Sequence, residues 1–246
     1  ALRAHAGHED LEAVACRALQ VLTWEHGGNQ RRAVRAGALD AVAAILRRDH
    51  VGDDALGAGL CALRSLAAGT QAHRREAGEF GMVEAVVRVL KANPRRAALQ
   101  WRAAHALHTL VRDDAANQTS AGKSGAVKEL VGAMRRHAQD EDLQAACAEA
   151  LQNVVFDCPE NQELATRAHA VDAVLLAMRT HRDSPSVHEH ACGALWNLIA
   201  GHPGNAASAQ AGRAEGLVVA AIDRFPGHEG VQENACGALS RLRLSA

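Results

Sequence analysis

A period of 44 residues runs through the chain and limits its fold more than any other feature. Leu19, Leu63, Leu107, Leu151, Leu195 and Leu239 follow one another at that spacing, each preceded by Ala. Three residues after them come Leu22, Leu66, Leu110, Val154, Leu198 and Leu242; eight before them come Leu11, Ala55, Leu99, Leu143, Val187 and Val231. These offsets share one face of an α-helix. A unit of this length cannot bury such a face alone, so the register predicts a stack in which each copy covers its neighbour.

Three further columns divide each unit. Leu2, Leu46, Leu90, Met134, Met178 and Ile222 form a second apolar column, followed in five copies by a base: Arg3, Arg47, Lys91, Arg135 and Arg179. A cation there suits a helix C-terminus, which makes these charges structural rather than a ladder for phosphates. Asn29, His73, Asn117, Asn161 and Asn205 follow loop sequence and suit helix N-caps. Eight residues later stand Gly37, Gly81 and Gly125, where a sharp turn between helices needs positive φ. His169 and Arg213 occupy that place in the last two copies, whose turns are expected to be less regular.

Each unit thus reads as a short helix (29–36), a turn, a second helix (39–48), a loop and a third helix (54–67). The repeats are 27–70, 71–114, 115–158, 159–202 and 203–246, preceded by a partial copy, 1–26, in a single solenoid that reads as part of a longer chain. With 2% aromatic residues and no Tyr, the buried surface must come from Ala, Leu and Val, which let helices approach closely.

The residues resemble the armadillo repeat family: Asn161-Gln162 opening a unit, Ala36-Gly37-Ala38-Leu39 at the turn, and Ala191-Cys192-Gly193-Ala194-Leu195-Trp196-Asn197-Leu198 on the third helix. The likeness covers the whole chain. It implies an all-α, right-handed superhelical solenoid of three-helix repeats, whose third helices line a concave groove for an extended peptide or a partner's helix. Nuclear-import members carry a Trp two residues before the column Leu and an Asn two after it. Here the first position holds Arg17, Cys61, His105, Glu149, Gly193 and Gly237, and only Asn153 and Asn197 match the second. The ladder that grips a nuclear-localisation signal is missing, as is the uninterrupted basic groove of catenin-like members.

Helical spacing puts offsets −5, −2 and +2 from the column Leu opposite the core. The expected groove residues are Arg102, His105, Thr109, Glu149, Asn153, His190 and Asn197, flanked by Arg64, Gln152 and Trp196. Side chains spaced by about 9–10 Å per repeat match every third residue of an extended chain at about 3.3 Å per residue. Trp101 and Trp196 fit either a binding hot spot or packing between third helices, whereas Trp24 sits at a helix end and is expected to be exposed.

Other chemistries find little support. A net charge of −1 gives no general attraction to nucleic acid or an anionic membrane, although residues 1–112 carry 16 bases against 11 acids and the remainder 11 against 17. That bipolarity suggests an oriented partner. Six Cys without C-x-x-C spacing read as reduced thiols and place the chain in a reducing, intracellular compartment, the cytoplasm first. His188, His190 and Cys192 point to different faces, so no metal is expected. Gly122-Lys123-Ser124 is an inter-helix turn rather than a phosphate loop, and Asn117-Gln118-Thr119 a helix start rather than a glycan acceptor. No catalytic constellation recurs, and neither enzymatic activity nor a cofactor is expected. The expected function is a protein-interaction scaffold that binds a peptide or a subunit of a larger assembly without inserting into a membrane. The competing expectation is an architectural spacer that contacts partners through its edges and convex face.

Overall fold

A computed structural model describes residues 5–244. Leu2 and Arg3, the first members of the second apolar column and its bases, lie outside the described residues. The chain folds into two compact units, Ala1–Ser124 and Gly125–Ala246. Among the described residues all regular structure is helical.

The first unit begins with α1 (Glu9–Thr23), continues through the triplets α2 (Gly27–Arg35), α3 (Ala38–Arg47), α4 (Asp53–Ala67) and α5 (Gln71–Glu79), α6 (Met82–Ala92), α7 (Ala97–Val111), and ends with α8 (Ala115–Lys123). The second unit opens with α9 (Ala126–Arg136) and α10 (Glu141–Val154). It then runs through α11 (Pro159–Ala168), α12 (Ala170–Thr180), α13 (Pro185–Ile199) and α14 (Pro203–Ala211), α15 (Ala214–Arg224), α16 (Glu229–Leu244). The three helices of each repeat fall within a residue or two of the spans the periodicity predicts. Third helices pack side by side, α1 on α4 and α4 on α7 in the first unit, α10 on α13 and α13 on α16 in the second. The Ala before each column Leu makes this possible: Ala62, Ala106, Ala150, Ala194 and Ala238 are fully buried and keep the helix backbones close. Leu63, Leu107, Leu151 and Leu195 are buried behind them, each contributing about 2 kcal/mol by leaving water.

The Asn column does something other than capping. The caps are three residues earlier, where His26, Thr70, Asp114 and His202 accept from the backbone N–H of Asn29, His73, Asn117 and Asn205. The Asn side chains lie inside the first helices and donate backwards, to the carbonyls of Leu22 (2.7 Å), Leu110 (2.8 Å), Val154 (2.7 Å) and Leu198 (2.9 Å). Those carbonyls belong to the last turn of the preceding third helix, where no intrahelical N–H can reach them. Asn117 and Asn205 also donate to Arg74 O (2.9 Å) and Gln162 O (3.2 Å) on the first helix of the previous repeat. Asn117 and Asn205 thus each join three helices.

The bases after the second column act on helix C-termini as expected, but on those of the next repeat. Arg47 donates to Phe80 O, Arg135 to Ala168 O (3.2 Å) and His169 O (3.3 Å), and Arg179 to Gly212 O. Each guanidinium neutralises the negative end of a first helix stacked beside it.

The last two inter-helix turns are as regular as the others, contrary to the expectation. His169 (φ 55°) and Arg213 (φ 54°) enter the left-handed region just as Gly37, Gly81 and Gly125 do. Packing of the flanking helices forces the turn, and a side chain with a Cβ meets about 1 kcal/mol of strain there. His169→Gly and Arg213→Gly are each expected to raise stability by about 1 kcal/mol, read as a higher denaturant midpoint at unchanged slope. An unchanged or lower midpoint would show that these turns are unstrained.

A Gln ladder closes the loop between second and third helices. Gln100 donates to Leu90 O and Asn93 O, Gln144 to Met134 O and His137 O, and Gln232 to Ile222 O and Phe225 O. His188 stands in the same column, buried, with both ring nitrogens unpartnered and its ring 5.3 Å from that of Phe225. Burial, with Arg224 nearby, holds its pKa below the ordinary 6.5. The unfolded chain therefore binds a proton first, and the native state loses stability as pH falls below about 6.5. His188→Gln is expected to add about 1 kcal/mol at neutral pH by restoring the two bonds, and more in mild acid. Melting curves at pH values either side of neutrality test this; an equal effect throughout would remove the titration argument.

Candidate functional site

The third-helix layer of each unit presents one face to its core and one to solvent, and nine of the ten expected groove residues are half-buried on the outer face. Thr109 is the exception. It is 5% exposed, and its hydroxyl donates to His105 O in its own helix (2.9 Å). The hydroxyl bends back to the nearest carbonyl a turn away, which takes it out of the expected groove face.

In the first unit the face is made by α1, α4 and α7. Arg64 stands over the Trp24 indole, 5.2 Å from the ring centroid, a cation–π contact. Trp24 is 43% exposed, as its place at a helix end predicts. Arg102 reaches from α7 across Gly57 of α4, where a Cβ would lie 2.6 Å from its Nη1. Trp101 packs edge-to-face on His105 at 4.6 Å. Cys61, half-buried, lies between Gly57 and Arg64 along the same face of α4.

In the second unit the face is made by α10, α13 and α16, and its large polar groups cover glycines of the next helix. Gln152 lies over Gly193, and the Trp196 ring lies over Gly237. Of the two roles open to Trp196, packing between third helices is the one it fills. Asn197 donates to Gln152 O (2.9 Å) and ties α13 to α10; Asn234, which sequence reasoning passed over, donates to Glu189 O (3.1 Å) and ties α16 to α13. Asn153 turns instead to Glu149 O in its own helix (2.9 Å). The two asparagines expected to grip a peptide backbone therefore each already donate to a protein carbonyl. The signal for the cross-helix contacts was present: a large residue one place after the column Leu, and a glycine two places before it in the following copy.

The buried thiols are held protonated. The structure leaves all six unpaired. Cys16, Cys147 and Cys192 are buried, which pushes each pKa up to about 12. Cys236, grouped with Cys16 and Cys192 by its column, is exposed instead, because among the described residues no helix packs on that side of α16. Asn117, within its sequon, is buried and donates to two carbonyls, so it is no glycan acceptor in this fold.

A second surface feature had no signal beyond the repeat itself. An apolar groove of about 670 Å³ is lined by Leu11, Val14, Ala18 and Leu22 of α1 with Ala33 of α2 and Ala41 of α3. Leu11 and Leu22 are 51% and 61% exposed, although their counterparts Leu99, Leu110 and Leu198 are buried. No described helix is long and apolar enough to cross a membrane.

This stacked three-helix geometry is matched by the sequence model of the LRRK2 ARM repeat over residues 59–246. The chain belongs to the LRRK2 ARM repeat family. No curated protein sequence matches this armadillo chain. Its fold is similar to that of an engineered protein, Northeast Structural Genomics Consortium target OR329, with a TM-score of 0.86 and 19% identity over 98% of this chain and 94% of the other. A designed armadillo repeat protein superposes with a TM-score of 0.82 and 20% identity over 97% and 95% of the two chains. Another, solved in complex with the peptide (KR)4, does so with a TM-score of 0.79 and 17% identity over 97% and 95%.

Proposed function

We propose that this armadillo protein is an interaction scaffold that holds an extended peptide segment of a protein partner against its third helices. The observation that carries this reading is the division of labour among the repeat's polar residues. The Asn column of the first helices, the basic column of the second and the inward-facing Gln column of the third are spent on joining helices. On the third helices of the first unit Arg64, Arg102 and His105, and on those of the second Glu149, Gln152 and His190, stand half-exposed. A designed armadillo protein of the same fold carries a bound peptide, which supports the same use of this surface.

The test is a random peptide display selection, followed by affinity measurement on variants of the expected face. Binding should fall by about tenfold or more when Arg64, Arg102, Gln152 and His190 are replaced together by Ala, and should be unchanged by Arg32→Ala or Lys128→Ala on first and second helices. Loss confined to Arg32→Ala or Lys128→Ala would overturn the reading. Loss confined to Leu22→Asp would instead support an architectural role through the apolar groove of α1, α2 and α3, the reading that its exposed leucines favour.

A further inference from the structure

We infer that the third-helix face of the first unit selects a carboxylate-bearing peptide segment, with Arg64 and Arg102 as its two anchors. The inference rests on that face being the binding surface and adds the chemistry of the partner.

Among the described residues, six arginines of the first unit pair with carboxylates. Arg17 meets Asp54 at 2.8 Å, Arg48 meets Glu12 at 2.7 Å, Arg88 meets Asp49 and Arg96 meets Asp53. Among the arginines within the third helices α1, α4 and α7, Arg17 is paired, whereas among the described residues no carboxylate pairs with Arg64 or Arg102. Arg64 leans on an indole, and Arg102 lies over a glycine. Both arrangements keep a guanidinium on the surface without neutralising it. A cation over an aromatic ring retains its in-plane N–H donors for a planar anion, and the guanidinium fork matches a carboxylate.

The spacing is set by α4. Gly57, beneath Arg102, and Arg64 are seven residues apart, two turns of helix, so they share one face about 10 Å apart. Cys61 lies between them and adds no charge, and Ser65 beside them is buried against Thr23 and Gln20 of α1. The acids of α4, Asp53 and Asp54, sit in its first turn and are matched by Arg96 and Arg17. Gly57 has a cost, since glycine inside a helix loses about 1 kcal/mol against Ala; here it makes room for Arg102. An extended segment crossing this face meets two unpaired guanidinia and no unpaired acid of α4, so charge complementarity favours Asp and Glu over Lys.

The test uses the whole chain and three labelled extended peptides of one length that differ only in carrying Glu, Gln or Lys at alternating positions. The Glu peptide should bind about tenfold more tightly than the Gln peptide and weaken as salt is raised. Arg64→Gln and Arg102→Gln should each reduce its affinity about tenfold, and the double replacement Arg64→Glu with Arg102→Glu should move the preference to the Lys peptide. That gain of binding cannot come from a damaged fold. Equal binding of Glu and Lys peptides, or a Glu peptide indifferent to Arg64→Gln and Arg102→Gln, would overturn the inference. Display-selected peptides that seat on the face without acidic residues would remove the charge assignment and leave the scaffold reading intact; no peptide on the face at all would remove both.

Discussion

Replacing Asn205 by Ala is expected to lower the unfolding free energy by about 3 kcal/mol. The side chain is fully buried and makes three bonds at once. Its Nδ2 donates to Leu198 O (2.9 Å) and Gln162 O (3.2 Å), and its Oδ1 accepts from the Thr166 hydroxyl (2.8 Å). Ala would leave the Leu198 carbonyl without its partner and remove a bond from the Gln162 carbonyl and the Thr166 hydroxyl, which keep only their 3.1 Å contact with each other, where water has little access. Each lost bond costs about 1 kcal/mol or more. Asn117→Ala removes two of the three corresponding bonds and should cost about 2 kcal/mol. Asn29, half-exposed with a single bond to Leu22 O, is the control and should lose less than about 1 kcal/mol because water replaces the amide. Urea titrations followed by circular dichroism give the three values directly. Equal losses would mean that the column is no more than a sequence habit of first helices.

Arg48→Met should cost about 2–3 kcal/mol, for a different reason. Arg48 donates from Nη1 to Glu12 Oε1 (2.9 Å) and from Nη2 to Oε2 (2.7 Å), a bidentate pair that fastens the end of α3 to α1. The Glu12 side chain is 3% exposed and that of Arg48 32%. Removing the cation strands a carboxylate inside the protein, whereas the double replacement Glu12→Leu with Arg48→Met removes both charges and should recover most of the loss. The pair also sets an acid limit. The Arg48 guanidinium holds the Glu12 pKa below its ordinary 4.5. The stability it contributes is therefore complete above that value and drains away as pH falls through the lower folded one. Stability measured from neutral to acid pH should show this loss in the native protein and not in the double variant. A double variant as unstable as Arg48→Met would show that packing, not charge, is the cause.

The architecture was legible in the sequence because it is written six times. One copy of Ala-Leu with a Leu three places on fits many helices; six copies at one spacing admit only a stack. The turn at Gly37, Gly81 and Gly125 was legible for the same reason. It misled only where His169 and Arg213 replaced Gly, because tertiary packing imposed a backbone angle that the local residue disfavours. The Asn column was legible as important but not in its role. An Asn near a helix start fits a cap equally well, and only the position of the preceding carbonyls shows that His26, Asp114 and His202 cap while the Asn side chains clamp.

The expected groove face was legible as a face and much less as a site. Helical phase alone separates its residues from the core: all but Thr109 are half-buried rather than buried. Phase cannot say what a side chain meets on the neighbouring helix. That Trp196 covers Gly237, that Asn197 reaches Gln152 O, and that Arg64 and Arg102 are left without carboxylates depend on the close approach and rotation of adjacent third helices. By itself, then, the sequence determined the helices, their order and the side of each that is buried, because repetition turns a weak periodic signal into a register. Tertiary structure alone decided which polar groups on the outer side are bonded or paired within the protein and which are not, because that depends on atoms about 44 residues away along the chain yet within hydrogen-bonding distance in the fold.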